Sequence, residues 1–367
     1  MEYVQERVAT LHDFDGAHPD APTDRAAVVV PLTERDHASL AAERVLGVLE
    51  TVDPGEVIVA LRASESEVGT VAAWLGEFDL DLTTLWCNAP PLEDRLREEG
   101  LDGDAGKGRD VWLALGLAAR RDYVVVHDAD ATTYSAAHVP RLLFPLAHGY
   151  GFSKGYYARV ENDRLYGRLC RLFYEPLVRG LDAAHGDDIV DYLGAFRYAL
   201  AGEFAATSEV ARRLRAQRGW GLEVGTLGEA FAAAGFAGSA QVDLGIHEHD
   251  HRAVSGPAGL GRMCEEVGAA LFHALEDNGV SPDYDRLPGR YREAAEGLVE
   301  QYAADAAFNG LEYDRAQERE QVAEYATAIA PPGEDRRLPA WVDAPIAPET
   351  VAALSADGID AATQGEP

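Results

Sequence analysis

Asp128-Ala129-Asp130 stands directly after Tyr123-Val124-Val125-Val126-His127, the most apolar strand-like run in the chain. In open α/β sheets, ligands bind beyond the carboxyl ends of the strands. Two carboxylates at i and i+2 there can hold a hard divalent cation, or one can hold the cation and the other a sugar hydroxyl. Spacing alone does not select this pair, because Asp13/Asp15, Asp79/Asp81, Asp102/Asp104 and Asp283/Asp285 share it. Only Asp128/Asp130 ends a buried-type strand. Lys107 sits between Gly106 and Gly108 where a helix begins. Glycines admit a ligand close to the backbone and a helix N-terminus favours anions, so a cation there suits a diphosphate. The segment lacks the Gly-x4-Gly-Lys-Ser/Thr order of a Walker A loop.

Two further segments carry candidate chemistry. His247-Glu248-His249-Asp250-His251 follows the apolar strand Val242 to Ile246. Three imidazoles at i, i+2 and i+4 invite a zinc reading, but no cysteine or helical His-Glu-x-x-His accompanies them. One imidazole completing the Asp-x-Asp site, or a solvent-facing cluster, are the other readings. Glu223, in Trp220-Gly221-Leu222-Glu223-Val224-Gly225, opens a helix. It is either a capping carboxylate or a catalytic one facing a sugar.

These residues need elements to place them. Ala26 to Leu32, Glu56 to Leu61, Leu80 to Trp86 and Tyr123 to His127 read as strands, with helical periodicity from Leu40 to Leu49, Val68 to Leu75 and Arg109 to about Arg120. Such alternation predicts a doubly wound parallel sheet with right-handed crossovers. Residues 87–106 and 187–194 read as loops. In the second half, Gly151 to Tyr157 and Ala240 to His247 read as strands, and Arg164 to Leu181 and Leu222 to Ala234 as helices. Residues 257–330 are mainly helical. Residues 1–25 read as a polar arm, and residues 331–367 as an acidic mobile tail.

The chain has 367 residues with 47% apolar content, enough for a real core. It holds 32 basic and 63 acidic residues, a net charge of −31 that argues against nucleic acid and anionic membranes as general partners. Lys107 and Lys154 are its only lysines. A lysine retained where arginine is used nearly everywhere suggests a point-charge role. An acidic, lysine-poor surface fits a folded protein in a high-salt cytoplasm of haloarchaeal type, where self-repulsion is screened. The three cysteines, Cys87, Cys170 and Cys264, are not at metal spacing and fit a reducing compartment. There is no run of 18 apolar residues, and the acidic N-terminus lacks the order of a signal peptide.

An ordered series of segments resembles the glucosyl-3-phosphoglycerate synthases, retaining glycosyltransferases of GT-A fold. Gly106-Lys107-Gly108 and Asp128-Ala129-Asp130 resemble the family's Gly-Lys-Gly and Asp-x-Asp. Ser153-Lys154-Gly155-Tyr156-Tyr157, Gly167-Arg168, Gly202-Glu203-Phe204-Ala205-Ala206-Thr207, Gly219 to Gly225 and Ala240 to His249 resemble later motifs in the same order. The resemblance spans roughly residues 26 to 255. It implies a GT-A domain over 26–256, with a nucleotide-sugar half (26–150) and an acceptor half (151–256). A helical extension over 257–330 would be a possible dimer contact.

Carried over residue by residue, the resemblance implies Asp130 and His249 as ligands of Mg²⁺ or Mn²⁺. Pro31, Leu32, Glu34, Lys107, Asp128 and Ala129 would meet the donor, and Glu223 the transferring sugar. Lys154, Gly167, Arg168 and Cys170 would meet the acceptor. The family's Asn-Glu pair after the first strand is Thr33-Glu34 here, which bears on base recognition, and its Gly-Arg-x-Thr is Gly167-Arg168-Leu169-Cys170. No second carboxylate stands at a nucleophile position, so the double displacement of retaining hydrolases is not assigned. The expected reaction moves a hexose from UDP-glucose to 3-phosphoglycerate or a similar small phosphorylated acceptor, in a homodimer. A transferase using GDP-mannose or a polar or lipid-linked acceptor, and a non-catalytic nucleotide-sugar-binding subunit, are the alternatives.

Overall fold

A computed structural model describes residues 5–248 and 257–364. The strands are β1 (Ala9–Leu11), β2 (Ala26–Thr33), β3 (Glu56–Arg62), β4 (Leu82–Trp86), β5 (Tyr123–Val126), β6 (Phe152–Ala158), β7 (Val160–Glu161), β8 (Arg164–Leu165), β9 (Phe204–Thr207) and β10 (Ser239–Ile246). Helices α1 (Leu40–Val52), α2 (Glu65–Leu75), α3 (Pro90–Glu98), α4 (Lys107–Ala118) and α5 (His138–Ala147) occupy the first half. The second half adds α6 (Glu175–Asp182), α7 (Asp188–Leu193), α8 (Ser208–Ala211), α9 (Leu222–Ala234), α10 (Pro257–Asp277), α11 (Leu287–Asn309), α12 (Arg315–Tyr325) and α13 (Pro348–Gln364).

Eight strands form one sheet in the order β1-β10-β6-β9-β5-β2-β3-β4. Every neighbouring pair is parallel except those of β9, which runs antiparallel to both β5 and β6. Val28, Val29 and Val30 of β2 are fully buried. That is the signature of a strand covered on both faces, and it explains why β2 reads as a continuous apolar run rather than an alternating one. Ser39 caps α1 by accepting from the Ala42 amide at 3.2 Å, satisfying one of the orphan donors of the first turn. The carboxyl ends of β2, β3 and β5 point the same way, so the segments after Thr33, Arg62 and Val126 share one rim of the sheet.

Several expectations are corrected. The polar N-terminal stretch is not wholly an arm, because Ala9–Leu11 forms the sheet edge beside β10. The two halves of the 26–256 segment share one sheet, β9 from the second pairing with β5 from the first. The loop 87–106 contains α3, whose Pro90 and Pro91 stand at the first helical positions, where proline's fixed φ is favourable. Residues 164–181 are not one helix. They hold β8, which pairs back on β7, then a π-helical turn Leu169–Tyr174 and then α6. Residues 187–194 contain α7. The C-terminal segment is packed on the fold over its described residues. Trp341 stacks on Trp112 at 4.4 Å, its indole NH donating to the Trp112 carbonyl at 2.7 Å, and α13 buries Val351 and Ser355.

Candidate active site

The N-terminus of α4 is held by a crossing segment. A Cβ on Gly108 would lie 1.8 Å from the Gln217 carbonyl oxygen, and one on Gly106 2.5 Å from that of Arg218. Only glycine permits this approach. The contact brings Gly219 to Glu223, at the start of α9, against Lys107. The Lys107 ammonium then meets Asp128 Oδ1 at 2.6 Å and Glu223 Oε1 at 3.0 Å. Burial alone would pull its pKa down; Asp128 and Glu223 together outweigh that and push it up, so it stays charged.

Asp128 leaves the carboxyl end of β5 and packs on Gly202, where a Cβ would fall 2.4 Å from Oδ2. Burial, then the charge of Asp128, lift Asp130 to about 7. Glu203, 1% exposed, is lifted to about 7 by the same two causes. His247 is wholly buried, stacked on Tyr157 at 4.1 Å, with Nε2 3.8 Å from Glu203 Oε1. Burial draws it down to about 4, so it is neutral at pH 7. The Glu248 carbonyl accepts from the Thr132 amide at 2.9 Å, joining the end of β10 to the loop after Asp130.

The site therefore concentrates carboxylates, Asp128, Asp130, Glu203 and Glu223, around one lysine. Two of them, Asp130 and Glu203, are held up by burial and by the charge of Asp128, which marks a site short of positive charge, and oxygen donors suit a hard divalent cation. Among the described residues no group of three His, Cys, Asp or Glu is placed to hold a metal. His249, expected as a ligand, lies outside the described residues, as do Asp250 and His251. Beside Lys107 and Glu223 opens a cavity of about 490 Å³, also lined by Gly106, Arg218, Trp220 and Arg336.

The remaining candidates divide. Pro31 and Leu32 are the last two residues before β2 ends at Thr33, at the same rim, and the Glu34 carboxylate accepts from the Ser64 amide at 2.7 Å and its hydroxyl at 2.8 Å. Ala129 is buried between the two aspartates. Lys154 departs from its expected place at the acceptor. Its side chain is 1% exposed and its ammonium donates to the Ala201 carbonyl, so it lies beneath the site rather than on it. Cys170 likewise is buried, which pushes its thiol up to about 12 and leaves it inert. Gly167, at φ +75°, packs on the Tyr198 hydroxyl, where a Cβ would sit at 2.6 Å. Arg168 turns to α12 and reaches Glu318 at 3.1 Å. Glu203 was assigned no role from sequence, although it lies inside the quoted Gly202 to Thr207 segment; its signal was a charged residue beside a short apolar strand.

No family model matches the chain. The glucosyl-3-phosphoglycerate synthase of Methanococcoides burtonii is 33% identical over 381 residues, covering 94% of this chain and 94% of that protein. The enzyme of the same name from Persephonella marina is 35% identical over 292 residues, covering 75% of this chain and 72% of its own length. A crystal structure of glucosyl-3-phosphoglycerate synthase from Mycobacterium tuberculosis, in complex with Mn²⁺, UDP-glucose and phosphoglyceric acid, matches with a TM-score of 0.52 at 27% identity. It covers 70% of this chain and 80% of that chain.

Proposed function

The chain belongs to the glucosyl-3-phosphoglycerate synthase family, and from that premise we propose that it moves glucose from UDP-glucose to 3-phosphoglycerate with a divalent metal, Mg²⁺ or Mn²⁺. The observation that carries this reading is the convergence of Lys107, Asp128 and Glu223 at the carboxyl rim of the sheet. Asp130 and His249 would hold the metal, with Asp128 at its margin. When bound, the metal neutralises charge on the departing diphosphate and orients it. Lys107 and the N-terminus of α4 hold the same diphosphate from the protein side. Glu223, on the first turn of α9, orients a sugar hydroxyl, and Arg168 with the Gly167 backbone holds the acceptor phosphate. Transfer breaks the bond from the anomeric carbon to the diphosphate oxygen and forms one to the acceptor hydroxyl oxygen, on the same face. Retention follows, and the hydroxyl proton leaves with the diphosphate side.

The protein works in a high-salt cytoplasm and as a dimer. The −31 charge supports the first. Phe308, 89% exposed at the end of α11, supports the second, and a light-scattering mass near 39.5 kDa would refute it. Among the described residues no helix is long and apolar enough to cross a membrane.

The test incubates the protein in molar KCl with Mg²⁺ or Mn²⁺ and a panel of nucleotide sugars, with and without 3-phosphoglycerate. A glucosylated phosphoglycerate detected by mass spectrometry from UDP-glucose is the expected result. A product from GDP-mannose alone, or donor binding without turnover, would overturn it. Asp130→Ala should abolish metal-dependent transfer, and full activity in that variant would remove Asp130 from the site.

A further inference from the structure

The guanidinium of Arg168 is held from outside the transferase sheet. Glu318 of α12 is 4% exposed. Its Oε1 accepts from Arg168 Nε at 3.1 Å and its Oε2 from Arg171 Nη1 at 3.2 Å. Gln317 Oε1 accepts from Arg168 Nη2 at 2.8 Å. Arg171 is fully engaged: Nε donates to the Tyr166 carbonyl at 2.9 Å, Nη2 to that of Leu165 at 3.3 Å, and its guanidinium lies 4.8 Å over the Tyr302 ring. One carboxylate thus serves two guanidiniums, so the cluster of Arg168, Arg171 and Glu318 keeps a net positive charge.

Arg168 lines a cavity of about 580 Å³ between the β7–β8 hairpin and the start of α12. The other cations there are paired, Arg164 with Glu312 and Arg315 with Glu300. No described residue bonds Arg168 Nη1. A guanidinium anchored along its Nε edge and open at Nη1 is pre-set for a phosphate oxygen, and fixing it beforehand removes part of the ordering cost of binding.

We propose that Glu318, assisted by Gln317, is a positioning residue for the acceptor phosphate, so that α12 completes the acceptor site by setting the guanidinium of Arg168. This rests on the reading of Arg168 as the residue that meets that phosphate. The test uses full-length protein with Mn²⁺ and UDP-glucose, comparing Arg168→Ala, Glu318→Gln and Gln317→Leu. The readouts are acceptor KM, donor KM, kcat, and the Ki of inorganic phosphate as a competitor of the acceptor. Glu318→Gln should raise the acceptor KM and the phosphate Ki together by roughly tenfold, with kcat and donor KM unchanged. An unchanged acceptor KM in Arg168→Ala would sink the reading of Arg168 itself. A raised KM there with none in Glu318→Gln would overturn only the positioning role. A fall in kcat with both KM values unmoved would make Glu318 structural, and a lowered acceptor KM would make it a competitor of the phosphate; either overturns the proposal. Should Glu318→Gln fail to fold, Gln317→Leu decides: a roughly threefold rise in acceptor KM alone supports the proposal, and no change refutes it.

Discussion

Lys107 touches two carboxylates from different halves of the chain, and that makes it the residue whose loss should be felt most widely. Replacing it by methionine keeps the length but leaves Asp128 and Glu223 facing each other without a cation. We expect kcat to fall by about 10²-fold or more, the scale of losing one preorganised charge at a leaving group, and Lys107→Arg not to restore it, because a forked guanidinium cannot occupy a point-charge position. Steady-state kinetics at saturating donor would check both. The sequence made this residue legible through its rarity, and the same signal misplaced Lys154. Lys154 is buried and Lys107 only partly so, and rarity alone cannot separate a ligand contact from a buried support. Asp128 and Asp130 were legible because a carboxylate pair after an all-apolar strand has few structural uses. Glu203 and Glu318 were not, because their roles arise from contacts across 75 and 150 residues of chain, with Asp128 and Arg168.

At the scale of elements, the parallel strands could be read because burial on both faces writes a continuous apolar run. β9 could not: Phe204-Ala205-Ala206-Thr207 is short, small and without alternation, and only its two neighbours make it a strand. The C-terminal segment was misread because composition rich in Pro, Asp and Ala describes its exposed side and not its anchors. Gly116 of α4 gives way to the Trp341 ring, which would lie 2.4 Å from a Cβ there. Trp341→Ala removes the stack on Trp112 and opens a void against α4, the helix that carries Lys107. A loss of about 3–5 kcal/mol is expected, read as a lowered midpoint in urea, with the residual activity of the folded fraction retained.

For the molecule as a whole, net charge and site chemistry act at different distances. Self-repulsion among surface carboxylates is long-ranged and is screened as the Debye length contracts from about 10 Å at 0.1 M salt to about 3 Å at 1 M. The contacts of Lys107 are at 2.6 and 3.0 Å and are partly buried, so salt reaches them far less. The melting temperature should therefore rise as KCl is taken from about 0.1 M to about 1 M, while the donor KM changes little. A melting temperature that falls over this range would contradict the salt-adapted reading of the surface.

The antiparallel β9 sets the order in which the molecule can come together. β5 and β6 are consecutive strands, yet they are joined in the sheet only through β9, a segment made nearly fifty residues after β6. During synthesis, the first half waits with β5 as an open edge, and unpaired strand edges invite pairing with other chains. A fragment ending at residue 150 should therefore aggregate, whereas one extended past Thr207 should hold β5 covered; sedimentation of the two fragments expressed in parallel would show the difference. The strand that closes the sheet is thus also the one that commits the chain, and assembly of this enzyme is gated by the arrival of four residues.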